Sequence, residues 1–137
     1  MVFELNAALQ ERLKNWARGG YPRERCGLLL GQARDGVVRV VEVVQARNAN
    51  TERAHDRYEL DPGDFLRADR QARARRLEIV GIWHTHPDHP ARPSATDREQ
   101  AWEGWSYLIL SVDRHGVQAL RSWRLDGHDF VEEAVRS

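Results

Sequence analysis

Residues 78–97 read EIVGIWHTHPDHPARPSATD. Glu78–Trp83 has the apolar, β-branched and aromatic character of a buried strand, and it runs straight into His84. Side chains alternate along a strand, so if this one continues, His84 and His86 project to the same side. Two imidazoles on one face can share a metal ion. Pro87 has no backbone N–H to give to a sheet, so the strand is expected to end there. The loop beyond it can then bring a third group round from another direction. Asp97 is the candidate, because Ser94 reads as the N-cap of a helix over roughly Ala95–Trp102, with Asp97 in its first turn. Two histidines and one carboxylate form a catalytic zinc set that leaves a fourth position open for water.

Each of these residues has a plainer reading when taken alone. Ser94 is a helix cap, Asp97 a first-turn acid favoured by the helix dipole, and Glu24 a surface acid between Arg23 and Arg25. A His-x-His pair is also weak evidence in a chain with six histidines. Pro, Ser and Asp at fixed offsets behind that pair make the pattern specific. His89 is spaced as part of the loop rather than as a ligand, and His55, His115 and His128 read as surface or turn residues. Cys26 reads as a buried packing residue. Trp83 and Trp102 flank the segment and are candidates to wall a site.

Working outward, Asn6 is a candidate N-cap, followed by Leu9, Leu13 and Trp16 on one helical face until Gly19-Gly20. Cys26–Leu30 reads as a buried strand. Asp35-Gly36 is a hairpin turn leading into the β-branched stretch Val37–Val44. Tyr58–Leu60 is a candidate strand, and Asp61-Pro62 starts a helix that runs to about Arg76. Tyr107–Val112 and Val117–Leu125 read as strands joined at His115-Gly116. Phe130–Val135 suits either a last strand or a short helix. Strands interleaved with about three helices imply an α/β fold, a sheet with helices packed on it, in one domain over residues 1–137.

Bulk properties narrow the class. Lys+Arg and Asp+Glu are both 21 in 137 residues, so the formal charge is zero and no nucleic-acid partner is expected. The run RADRQARARR, residues 67–76, reads as a solvated helix face. No stretch has the 18 or more apolar residues of a membrane span, and MVFELNAALQ lacks the pattern of a secretory signal. A single cysteine excludes an intramolecular disulfide and suits a reducing compartment. A cytoplasmic protein is therefore expected. The single cysteine also excludes a nucleoside-type zinc deaminase, which needs a Cys-x-x-Cys ligand pair.

The pattern HTHP-x6-S-x2-D resembles the signature H-[ST]-H-P-x6-S-x2-D of the JAMM (MPN-type) zinc metalloproteases. Upstream, PRERCGLLLG at residues 22–31 is similar to the family segment P-x-E-x-C-G-x-L-x-G. Arg57-Tyr58 with Asp61-Pro62, PDHPARPSATD and the Tyr107–Val112 strand look like small bacterial members. The resemblance spans about Leu5 to Val135, with Thr85 where serine is commoner.

It implies a mixed sheet of cytidine-deaminase-like architecture and one Zn²⁺ per chain held by His84, His86 and Asp97. It further implies Glu24 as general base and Ser94 as a donor to the oxyanion. The implied activity is that of a peptidase or isopeptidase. The implied partner is a ubiquitin-like or sulfur-carrier protein, cleaved after its C-terminal Gly-Gly; a homodimer is compatible with this. A catalytically silent binding module of the same fold is the alternative. Such relatives typically lack one or more ligands, and this chain keeps the full set.

Overall fold

In the computed structural model, residues 1–137 are described apart from Asp56. Among the described residues the chain runs β1 (Val2–Glu4), α1 (Ala7–Gly20), β2 (Cys26–Arg34), β3 (Val37–Ala46), α2 (Pro62–Ala74) and β4 (Glu78–Pro87). It continues through α3 (Ala95–Gln100), β5 (Ser106–Asp113), β6 (Gly116–Asp126) and β7 (Asp129–Arg136).

Local chemistry sets most of these boundaries. The Asn6 side chain accepts the Leu9 N–H at 2.9 Å and starts α1. Asp35 and Gly36 both take positive φ, 55° and 78°, as a tight turn between two twisted strands requires. The Asp61 carboxylate accepts the Asp64 N–H at 3.0 Å, and Pro62 opens α2, where its missing N–H is no loss.

The sheet order is β1-β3-β2-β4-β5-β6-β7, and it closes into a barrel because β1 pairs in parallel with both β3 and β7. The pair β4–β5 is also parallel, and the remaining pairs are antiparallel. This is the expected mixed sheet with three helices. The closing strand β1 was not expected: at three residues it is too short for any alternation to show.

Two cores lie on opposite faces of the sheet. Leu9, Leu13 and Ala17 of α1 pack with Leu29, Val40, Trp83, Leu108 and Leu110. Ala68 and Ala72 of α2 pack with Leu28, Leu30, Ile82 and Tyr107. Gly27 is where the first core presses closest on β2. Trp83 Nε1 donates to the Val44 carbonyl at 2.9 Å directly beside it, and a Cβ on Gly27 would collide with both groups. That collision accounts for Gly27, the first of the two glycines in PRERCGLLLG.

Three expectations change in detail. Tyr58–Leu60 is not a strand; only Leu60 pairs, in an isolated bridge with Asn48, because Tyr58 turns inward. The helix α3 ends at Gln100 instead of Trp102, since the Trp102 N–H donates to the Tyr107 hydroxyl at 2.6 Å and draws the chain away. Residues 129–136 are a strand, completing the barrel.

Candidate active site

The strand β4 does continue through His84 and His86 and ends at Pro87. Its even-numbered side chains Ile82, His84 and His86 face α2, whereas Trp83 turns to the α1 side. Directly after Pro87 the chain reverses at Asp88, which takes φ 61°, a conformation that Asp tolerates better than most residues. The Asp88 N–H donates to Val112 at 2.8 Å, and its carboxylate accepts the Tyr21 hydroxyl at 2.8 Å. The site loop is thereby tied to the loop entering β2.

Ser94 and Asp97 form a reciprocal capping box. The Asp97 N–H donates to Ser94 Oγ at 3.0 Å, and the Ser94 N–H donates to Asp97 Oδ2 at 2.8 Å. The cap aims the Asp97 carboxylate at β4. Oδ1 lies 3.6 Å from His84 Nε2, and Oδ2 lies 3.2 Å from His86 Nε2. On the opposite side Glu24 Oε1 lies 3.4 Å from His84 Nδ1. Glu24 is 4% exposed, His84 0% and His86 8%. The sequence-expected residues Glu24, His84, His86, Ser94 and Asp97 thus converge on one place. A pocket of about 430 Å³ opens over them, lined in part by Glu24, His86, Ser94 and Asp97.

Electrostatics separate the members. Burial alone would raise the Asp97 carboxyl, but His84, His86 and the Ser94 N–H outweigh it and hold the pKa down at about 2. Burial likewise opposes a charge on His86, yet the Asp97 hydrogen bond and the Pro90 carbonyl raise its pKa. His86 Nδ1 sits 2.8 Å from that carbonyl. With Nδ1 committed there, Nε2 on the Asp97 side is the nitrogen that could offer a lone pair to a metal ion, as an orienting second bond commonly arranges for a ligating histidine.

His84 is the anomaly. Both its ring nitrogens are buried, and neither has a hydrogen-bond partner among the described residues. A buried polar atom without a partner costs about 1–3 kcal/mol. Two carboxylates flank this ring, and Glu24, His84 and His86 can bring one ligand-type atom each within 4.8 Å of one another. Oxygen and imidazole donors around two unsatisfied nitrogens suit a borderline cation such as Zn²⁺.

Several participants carry weaker sequence signals. Tyr58 stacks on His84 with ring centroids 4.4 Å apart. Burial pushes its phenol pKa well up, as do the nearby acids. Asn48 is the joint of the wall. Its side-chain amide donates to the Glu24 carbonyl at 3.1 Å and to the Arg57 carbonyl at 2.9 Å. The Thr85 hydroxyl accepts the Arg25 N–H at 2.8 Å, holding the backbone next to Glu24. Thr85, within HTHP, and the Arg57-Tyr58 pair left a trace in the sequence; Asn48 has no local pattern.

Neither tryptophan walls the site. Trp83 is wholly buried on the opposite face, stacked on Trp16 at 5.7 Å. Trp102 is exposed and borders a separate groove with Leu60, Phe65 and Trp105. His89 lines the rim of the pocket. Cys26 is buried, and burial together with Glu24 pushes its thiol up to about 12.

A closed mixed sheet carries a His-x-His strand opposite a capped carboxylate, side chains that together could hold a metal ion. Residues 6–126 match the profile of the prokaryotic homologs of the JAB domain. The chain is 36% identical to a desampylase of Haloferax volcanii over 87% of its own length and 81% of that protein. It is 32% identical to a CysO-cysteine peptidase of Mycobacterium tuberculosis over 98% of its length and 90% of the relative. A JAB1/MPN domain protein from Archaeoglobus fulgidus superposes with a TM-score of 0.58 at 16% identity, covering 100% of both chains, and so shares the fold. The chain belongs to the JAMM (JAB/MPN) family and is a peptidase or isopeptidase of that type. No helix of the described residues is long and apolar enough to cross a membrane.

Proposed function

We propose that this protein hydrolyses the bond after the C-terminal Gly-Gly of a ubiquitin-like or sulfur-carrier protein, using one zinc ion held by His84, His86 and Asp97. The observation that carries the metal assignment is the buried, partnerless pair of nitrogens on His84 between two carboxylates. His86 Nδ1 is committed to Pro90, so His86 offers Nε2, on the Asp97 side. Asp97 approaches Nε2 of both rings, whereas Glu24 approaches only Nδ1 of His84. That asymmetry favours Asp97 as ligand and leaves Glu24 free to handle protons. The names desampylase and CysO-cysteine peptidase of the relatives support a modifier or carrier protein as substrate.

Bound zinc would lower the pKa of a water molecule and polarise the scissile carbonyl. The chain's own residues do the rest. Glu24 takes the attacking water's proton on its carboxylate and passes it to the departing amine. Ser94 Oγ accepts the Asp97 N–H, so its hydroxyl hydrogen remains to be donated to the oxygen of the carbonyl under attack. Tyr58 and Thr85 hold His84 and the Glu24 backbone in place. On β4 itself no free strand edge meets the tail at His84, because β2 pairs on one side and β5 on the other. An extended Gly-Gly tail therefore lies in the cleft between the Tyr58 and Ser94 walls, where absent side chains let it approach.

The test incubates zinc-loaded protein with the Gly-Gly-ending ubiquitin-fold proteins of the same genome, extended or conjugated, and weighs the products. Cleavage after Gly-Gly, abolished by chelation and restored by Zn²⁺, is expected. Equal cleavage of Gly-Gly and Ala-Ala tails would remove the proposed substrate while leaving the peptidase.

A further inference from the structure

The pocket that holds the acidic and imidazole groups is also lined by two guanidiniums, Arg57 and Arg92. The half-buried Arg124, by contrast, meets a carboxylate, pairing with Glu133 at 3.1 Å, and the half-buried Arg25 bonds the Gln45 amide oxygen at 3.0 Å. Among the described residues, Arg57 and Arg92 have no carboxylate partner. Arg57 is half-buried, and its guanidinium makes one bond, from Nη1 to Thr96 Oγ1 at 3.0 Å. Its remaining donors form the planar fork that matches a carboxylate.

The position of Arg57 is set by the catalytic wall itself. Its carbonyl shares the Asn48 amide with the Glu24 carbonyl, the next residue stacks on His84, and its side chain reaches the residue before Asp97. Arg57 therefore runs from the Glu24 side of the cleft, where its carbonyl is held, to the Asp97 side, where its fork meets Thr96.

We propose that Arg57, assisted by Arg92, receives the free α-carboxylate of the leaving group. The enzyme then favours removal of a one- or two-residue C-terminal extension from its carrier protein over release of a lysine-linked partner. This rests on the peptidase reading above and narrows it. Each residue adds roughly 3.5 Å of extended chain. A carboxylate one or two residues past the cleaved bond thus stays within a pocket of about 430 Å³. A protein joined through a lysine side chain brings no α-carboxylate to that place. The chemistry is ordinary hydrolysis: the C–N bond breaks, water's oxygen joins the new glycine carboxylate, and the leaving amine takes a proton. The arginines bind only the far end of what leaves.

The test uses one sulfur-carrier protein of the same genome, with Gly-Gly extended by a single alanine. It is prepared as the free acid, as the carboxamide, and with Gly-Gly linked to a lysine side chain. Zinc-loaded wild type is expected to prefer acid over amide by tenfold or more in kcat/KM. Arg57→Gln with Arg92→Gln should bring that ratio toward one, and Arg57→Lys, a point charge without the fork, should keep part of it. The ratio is internal to each preparation, so a loss of folded protein does not mimic the effect; should the double variant not fold, Arg57→Lys and Arg92→Gln alone decide. Equal cleavage of acid and amide by wild type, or a ratio unchanged in the variants, overturns the inference and leaves the peptidase reading standing. Cleavage of none of the three substrates overturns the reading, and the inference with it.

Discussion

Trp83 and His84 are neighbours on β4, both with 0% exposure, yet their surroundings differ in kind. Trp83 belongs to the α1 core with Phe3, Leu5, Leu13 and Leu110, stacks on Trp16, and has its one side-chain polar atom bonded to Val44. His84 faces the α2 side among Glu24, Asp97, His86 and Tyr58, with both nitrogens left without partners. One face of the strand is finished by folding. The other carries a polar deficit that folding alone does not remove. Stability and chemistry are thus separated by the alternation of a single strand, so changes on either side should act on different measurements.

The largest expected effect belongs to Glu24. Glu24→Gln should cost on the order of 10²–10⁴ in rate, the usual contribution of a general base, with zinc content and melting temperature little changed. A turnover equal to wild type would take Glu24 out of the mechanism.

On the other face, Leu13→Ala should lower stability by about 2–5 kcal/mol through a cavity, measured by denaturant unfolding. The zinc affinity of the folded fraction should stay as it was; a parallel loss of zinc would show that the two faces are not separable.

Zinc itself is the third probe. At a hundredfold excess over its dissociation constant it should add about 2.7 kcal/mol of stability to wild type and to Leu13→Ala alike. His84→Ala should lose that response, and a full zinc shift in His84→Ala would contradict the ligand assignment.

Ser94→Ala should cost about 1 kcal/mol through the lost cap, in addition to slower turnover. Cys26 should show the smallest effect. With its thiol held near 12 by burial and Glu24, the native protein should resist alkylation at pH 8 and react only once unfolded. Fast labelling of the native protein would mean that the sheet opens at β2.

What could be read in advance followed from the range of the interactions involved. His84 and His86 share a face because strands alternate, and Asp97 sits three residues after a capping serine, so spacing alone placed those three. The hairpin at Asp35-Gly36 and the start of α2 at Asp61-Pro62 are equally local. Trp83 and Trp102 misled because closeness in sequence says nothing of which face a residue takes or where a helix is cut short. Tyr58–Leu60 misled because Tyr58 stacks on His84 and only Leu60 pairs, in a single bridge with Asn48.

By itself the sequence determined the residue types, their spacing along two short segments and the family they match, since cap, alternation and turn act over only a few residues. Tertiary structure alone decided that Glu24, 60 residues before His84, arrives 3.4 Å from it. It does so because β2 and β4 pair with Cys26 opposite His84, while the Thr85 hydroxyl and the Asn48 amide hold the preceding backbone. It likewise decided that Arg57 spans the cleft to Thr96. Those are contacts between distant parts of the chain, set by strand register and closure of the barrel, and no local pattern of residues encodes them.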